Sequence, residues 1–235
     1  MGRAFEFRKA RKMKRWGAMA KTFTRLGRQI SMAVKAGGPD PESNAMLRAI
    51  LQNCKAANMP KENIENAIKK ASSKEEKDLD EVVYEGYGPF GVAIVVETAT
   101  DNPTRTVANI RMYFNRADGA LGKTGSLDFI FNRKSQFRIK AEGVDMEDLE
   151  LELIDYGLEE IYEEDGEIVI IAGFTDFGAM QKALEEKDVE IINSELVRIP
   201  TTTVELTDEQ AVKIQNLIEK IEDDDDVQQV FHNMA

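Results

Sequence analysis

Between residues 20 and 71 the apolar positions fall at helical spacing. Phe23, Leu26, Ile30 and Ala33 recur every three or four residues and mark one face of a helix. Gly37-Gly38-Pro39-Asp40-Pro41 stops it, because paired glycines and prolines punctuate helices. Met46, Leu47, Ile50, Leu51 and Cys54 build a second apolar face. Pro60 then opens a third short helix with Ile64, Ala67 and Ile68 inward. Ser72 to Asp80 is polar and charged, lacks periodicity, and reads as a linker.

From Glu81 the pattern turns to strands and helices in alternation. Phe90–Thr100 holds the apolar run Val92-Ala93-Ile94-Val95-Val96, a buried strand. Asn102-Pro103 caps and starts a helix lined by Val107, Ile110 and Phe114. Leu127, Phe129 and Phe131 alternate as a second strand. Thr201–Leu206 alternates again, and Thr207 with Gln210 forms a capping box before Ala211, Ile214, Leu217, Ile218 and Ile221. Val227–Phe231 closes as a strand. The piece between repeats that order: a strand at Gln136–Ala141, and a helix with Met146, Leu149 and Leu153 that Gly157 ends. A hairpin follows across Asp165-Gly166, then a helix at Thr175–Glu185 and a strand at Val189–Ile199. The predicted class is α+β: a helical N-terminal domain plus two ferredoxin-like βαββαβ domains, one inserted into the other. The expected boundaries are 1–80, then 81–134 with 200–235, and the insertion at 135–199.

Charge adds a polarity that the pattern does not show. Residues 1–35 carry eleven Lys or Arg against the single acid Glu6, a net +10, while the whole chain is −12. The remaining 200 residues therefore sum to −22. A basic head on an acidic body points to a polyanionic partner for the head. Arg3, Arg8, Lys9, Arg11, Lys12, Lys14 and Arg15 supply phosphate contacts, and Phe5, Phe7 and Trp16 lie among or beside them. Basic side chains track phosphates while aromatics stack on unpaired bases. Lys21, Arg25 and Arg28 continue the cationic surface at spacings of four and three. The competing reading is a basic tail making loose contacts, with Trp16 packed into the helical domain.

Little else in the chain carries chemistry. Cys54 is the single cysteine, so no intramolecular disulfide forms, and its apolar surroundings make it a core residue. No run approaches a membrane span and no apolar segment follows the basic start, so the expected location is cytoplasmic. Gly86-x-Gly88-x-x-Gly91 matches a dinucleotide fingerprint in letters, but Pro89 interrupts it and a strand follows where a helix is required. Asp176-Phe177-Gly178 spells a kinase triplet without the catalytic loop that must precede it; Asp176 reads instead as first-turn charge on a helix capped by Thr175. His232, the only histidine, has no cysteine partner for zinc and no triad. Asp223–Asp226 lacks calcium-loop spacing and reads as a solvated loop. The expectation is therefore no catalysis, no metal, no cofactor and no small-molecule substrate.

Several ordered stretches resemble the YebC/PmpR family. They are Gly37–Glu42, Ala57–Ile64, Tyr84-Glu85-Gly86-Tyr87-Gly88-Pro89, Thr100-Asp101-Asn102 with Arg105-Thr106, and Gly122-x-x-Gly125-Ser126. The resemblance covers nearly the whole chain. It implies a three-domain α+β protein, usually catalogued as a cytoplasmic DNA-binding transcriptional regulator. Mitochondrial relatives activate translation of a cytochrome oxidase subunit, and similar proteins associate with the ribosome at difficult stretches. The family commonly opens with a Gly-His-Ser-Lys-Trp type start, whereas this chain reads Met1-Gly2-Arg3-Ala4-Phe5-Glu6-Phe7-Arg8-Lys9. A contact made by that histidine does not carry over. Tyr84 and Tyr87 are either surface aromatics for nucleic acid or ribosome, or turn packing. The functional expectation is a nucleic-acid-binding regulator acting on DNA or on ribosomal RNA. The alternative is an acidic adaptor that binds a basic protein and works without residues 1–16.

Overall fold

The computed structural model describes residues 3–73, 78–187 and 189–235, with side chains from residue 19 onward. The chain divides into two compact units, Met1–Glu76 and Lys77–Ala235.

The first unit is helical: α1 (Arg3–Gly37), α2 (Ala45–Ala56) and α3 (Lys61–Ala71). Leu26, Ile30, Ala33 and Val34 of α1 close on Leu47, Ile50 and Cys54 of α2 and on Ala71 of α3. The spacing of these residues is the helical stripe read above, and burying it is what makes short helices stable. The turn after α1 is built by three residues. Gly38 takes a left-handed conformation (φ 87°) and its N–H bonds Val34 O at 2.8 Å, ending the helix. Asn44 caps α2 by accepting from Leu47 N at 3.0 Å, and its Nδ2 donates back to Ala33 O and Gly38 O. A Cβ on Gly37 would come within 2.7 Å of that amide, so the glycine pair is required by the cap. The predicted linker Ser72–Asp80 falls partly on residues outside those described.

The second unit contains two four-stranded antiparallel sheets. In the first, β1 (Asp80–Tyr87), β2 (Ala93–Thr100), a two-residue β3 (Ala120–Leu121) and β8 (Val227–His232) are ordered β3-β1-β2-β8. Helices α4 (Pro103–Arg116) and α7 (Asp208–Glu222) cover one face. There Ile94, Ile110, Phe114, Ile214 and Ile221 are fully buried, each contributing about 1.5–3 kcal/mol by leaving water. The second sheet uses β4 (Phe131–Lys140), β5 (Leu158–Glu164), β6 (Glu167–Gly173) and β7 (Ile191–Pro200) in the order β5-β6-β4-β7, with α5 (Met146–Leu153) and α6 (Phe177–Glu185). Its chain order and sheet order are those of a ferredoxin-like unit, and it lies in sequence between β3 and β8. Asp165 and Gly166 both have positive φ in the β5–β6 turn, as a two-residue hairpin requires.

The first sheet corrects three strand assignments. Its sheet order is also ferredoxin-like, but β1 fills the place expected for Thr201–Leu206. With β1 and β8 paired on either side of β2, no ladder is left for that segment, and only Val204 bridges Met234. Residues 80–87, assigned to no strand in the sequence and with Asp80 placed in the linker, are thus a strand. Leu127–Phe131 is a turn rather than a strand: Ile130 N bonds Leu127 O, Leu127 and Ile130 are both buried, and Phe129 is 75% exposed. Phe131 instead begins β4.

Candidate nucleic-acid interface

The basic residues of the head lie on α1. Its 35 residues span roughly 50 Å at 1.5 Å per residue. Arg3, Arg8, Lys9, Arg11, Lys12, Lys14, Arg15 and Trp16 sit on helical backbone, and their side chains lie outside the described residues. Lys21 is exposed, and Arg25 and Arg28 are half-buried beside the buried stripe of Leu26 and Ile30. Each of the three makes an interaction with its surroundings. Their spacing of four and three sets them along one side of the helix as expected. Lys35 carries the last turn, where a cation suits the helix dipole.

The glycine and acidic motifs of the second unit form framework. Gly86 lies in β1 against β3, and a Cβ there would meet Ala120 O at 2.6 Å. Gly88 to Gly91 is a tight turn into β2, with Phe90 at φ 64° and Gly91 at φ 79°. This is turn and strand, not a phosphate cradle. Glu85, 3% exposed, was not singled out by sequence reasoning. Its carboxylate accepts from Gly125 N at 2.8 Å and Leu127 N at 2.7 Å, pinning the Gly122–Ser126 loop over the sheet face opposite the helices. Tyr84 is buried, its hydroxyl donating to Pro103 O at 3.4 Å. Burial first, and then Asp226, raises that hydroxyl above the ordinary tyrosine range. Tyr84 is therefore packing, whereas Tyr87 is 40% exposed.

The aspartate run is solvated only in part: Asp223 and Asp225 are exposed, while Asp224 and Asp226 turn inward. Asp226 is 2% exposed and accepts from Thr100 at 3.1 Å, Thr106 at 2.8 Å and Arg105 at 2.7 Å. Asp224 accepts from Asn109 at 3.0 Å and Tyr113 at 3.1 Å. Asn102 caps α4 through Arg105 N, and its own N–H bonds Thr100 Oγ1, so one network ties strand end, cap and aspartate. The available signal was position: Asp226 is the last acid before an apolar strand. Helix α6 begins at Phe177 with Asp176 at its cap making no side-chain bond, which corrects the Thr175 cap. Asp176 instead leans over Gly157 and Gly173, where a Cβ would meet its Oδ2.

The two reactive-looking residues are quiet. Burial pushes the Cys54 thiol up to about 11, far above the thiolate range needed for reactivity. Burial lowers His232, so its imidazole is neutral near pH 7. Among the described residues no group of three His, Cys, Asp or Glu side chains could hold a metal ion. No helix among them is long and apolar enough to cross a membrane.

Comparison with known proteins covers both units. Residues 3–74 match the TACO1/YebC protein N-terminal domain, and residues 79–234 match the TACO1/YebC second and third domain. The chain belongs to the TACO1/YebC family. It is 58% identical over 234 residues to a probable transcriptional regulatory protein of Flavobacterium johnsoniae, covering 100% of this chain and 99% of that one. A protein of the same description from Myxococcus xanthus is 50% identical with complete coverage of both chains. The crystal structure of a conserved hypothetical protein from Aquifex aeolicus matches with a TM-score of 0.82 and 37% identity, over 92% of this chain and 90% of that one. The YebC/PmpR resemblance and the α+β fold are thereby shown.

Proposed function

We propose that this TACO1/YebC protein is a regulator of gene expression that binds nucleic acid through its basic head, without catalysis. The observation that carries the reading is the net +10 on residues 1–35 of a chain whose total is −12. Placed on one long helix, Arg3 to Arg28 would meet phosphates along a continuous backbone path. The acidic remainder repels the same polyanion, so the complex is oriented head first. Its relatives are named probable transcriptional regulatory proteins, which supports a regulator. The DNA-binding and ribosome-associated versions share this electrostatic requirement, and both operate in the cytoplasm.

The discriminating experiment is sedimentation of the full chain and of a 1–16 deletion through a gradient with cell lysate. Co-migration with ribosomal particles that resists DNase and is lost on truncation assigns translation. A chain absent from ribosomal fractions that shifts duplex DNA through the same residues assigns transcription. Binding of either polyanion that ignores the truncation defeats the reading.

A further inference from the structure

Between Lys140 and Lys182 the chain carries fourteen Asp or Glu and no Lys, Arg or His. The stretch spans α5, β5, β6 and the start of α6. Lys187 and Lys134 reach in to pair with Glu152 and Glu159, and Arg138 pairs with Glu164 and Glu167. Among the described residues no basic side chain pairs with Glu147, Asp148, Glu150, Asp155, Glu160 or Glu163, and all are exposed. Acids on β5, an edge strand, have a structural use, since charge discourages edge-to-edge pairing.

That use does not extend to the apolar residues beside them. Leu151 is 70% exposed, Ile154 57% and Tyr156 38%. Leu149 and Leu153 already turn the inner side of α5 to the core. Leu151 of α5 and Ile154, which opens the 3-10 turn directly after that helix, form a second apolar side that nothing covers among the described residues. A helix with apolar side chains on both faces, the outer one ringed by unpaired carboxylates, has the composition of an interface: an apolar centre and a charged rim.

Charge selects the occupant. The complementary segment on the page is the head, with seven Lys or Arg in residues 1–16 and Phe5, Phe7 and Trp16 interspersed. It offers cations for the rim and aromatic rings for the centre. We propose that the outer face of α5 receives the basic head of a second copy of this chain, a head-to-tail contact in which one molecule's acidic surface takes the place of a phosphate backbone. The contact holds heads that have no nucleic acid, and it is independent of which polyanion the head binds. A chain that bound no nucleic acid at all would still self-associate this way.

The test is sedimentation velocity of the full chain across concentration, at about 50 mM and about 300 mM salt, where screening lengths differ by a factor of about 2.4. Self-association is expected at low salt and lost at high salt. A Leu151→Ser/Ile154→Ser variant and an Arg8→Gln/Lys9→Gln/Arg11→Gln/Lys12→Gln variant should each weaken it at least about tenfold, which is 1.4 kcal/mol. Leu151 and Ile154 lie outside the buried core, and cooperative unfolding checks that each variant folds. With a photocrosslinking residue at position 151, an equal mixture of light and heavy chains should yield light–heavy products joining position 151 to residues 3–16. A chain monomeric at all concentrations, or a dimer indifferent to either variant, overturns the proposal. So do light–light products alone, which mean contact within one chain. A monomer that binds added polylysine as well as a peptide of residues 3–18 overturns it in favour of a foreign basic polypeptide.

Discussion

A carboxylate at 2% exposure persists in a protein interior only when its lone pairs are taken up, and at Asp226 two threonine hydroxyls and a guanidinium do so. Asp226→Ala removes the acceptor of the buried Thr100 hydroxyl, while Thr106 keeps Asn102 O, so we expect a loss of about 1–3 kcal/mol in urea denaturation. Arg105→Ala should cost distinctly less, because that side chain is half-exposed and solvent screens its pairing. Equal losses would show that the ion pair, and not the hydroxyl network, holds the strand end. Glu195 is the opposite case. Burial raises its carboxyl above the ordinary range, against the lowering effect of Gln229, Asn193 and Arg138. A raised acid binds its proton more tightly in the folded chain. Its contribution is therefore fully present below the unfolded value and is lost as pH rises through the folded one. Glu195→Gln keeps an acceptor for Gln229 Nε2, now at 2.7 Å, and removes that loss. The variant should unfold at higher urea than the parent at pH 7, and at the same urea below about pH 4. A stabilisation that persists in acid would locate the effect in packing.

Elements were legible where a local rule fixes them. The Asn102 and Thr207 caps, the capping box with Gln210, and the Asp165-Gly166 turn each need only neighbours in sequence, and each is found. The inserted sheet was readable because its strands are long and its helices separate them cleanly. The first sheet was not, because its order is decided by partners far away in the chain. β1 reads as half polar, with Glu81, Glu85 and Gly86 among Val82, Val83 and Tyr84, and becomes a strand only when β2 pairs along its length. Leu127 and Phe131 are buried as an alternating strand would bury them, yet the Glu85 carboxylate holds the backbone there in a turn. That carboxylate is 42 residues away in sequence, which no periodicity registers. Of the candidate interface, the helical placement of Lys21, Arg25 and Arg28 followed from spacing. Glu85 and Asp226 stayed hidden because acids are ordinarily solvated, and only the fold reveals which of them are enclosed.

At the scale of the molecule the chain is an electrostatic dipole in sequence, +10 in its first 35 residues and −22 in the rest. A polyanion gains counterion entropy from the first part and suffers repulsion from the second. If the head neutralises about six phosphates, the logarithm of duplex affinity should fall with the logarithm of salt at a slope near −5. Seven of the eleven basic residues lie in residues 1–16. Deleting that segment should lower the slope's magnitude by about half or more, measured by fluorescence anisotropy across a salt series. In the body 42 acids outnumber 20 basic residues, so its net field is not expected to replace the lost slope. A slope unchanged by truncation would therefore require a cationic patch that net charge conceals, and binding would have to be sought on the second unit. A slope that falls while affinity at high salt holds would mean that aromatic stacking outside the deleted segment, as by the exposed Tyr87, supplies what phosphate contacts do not.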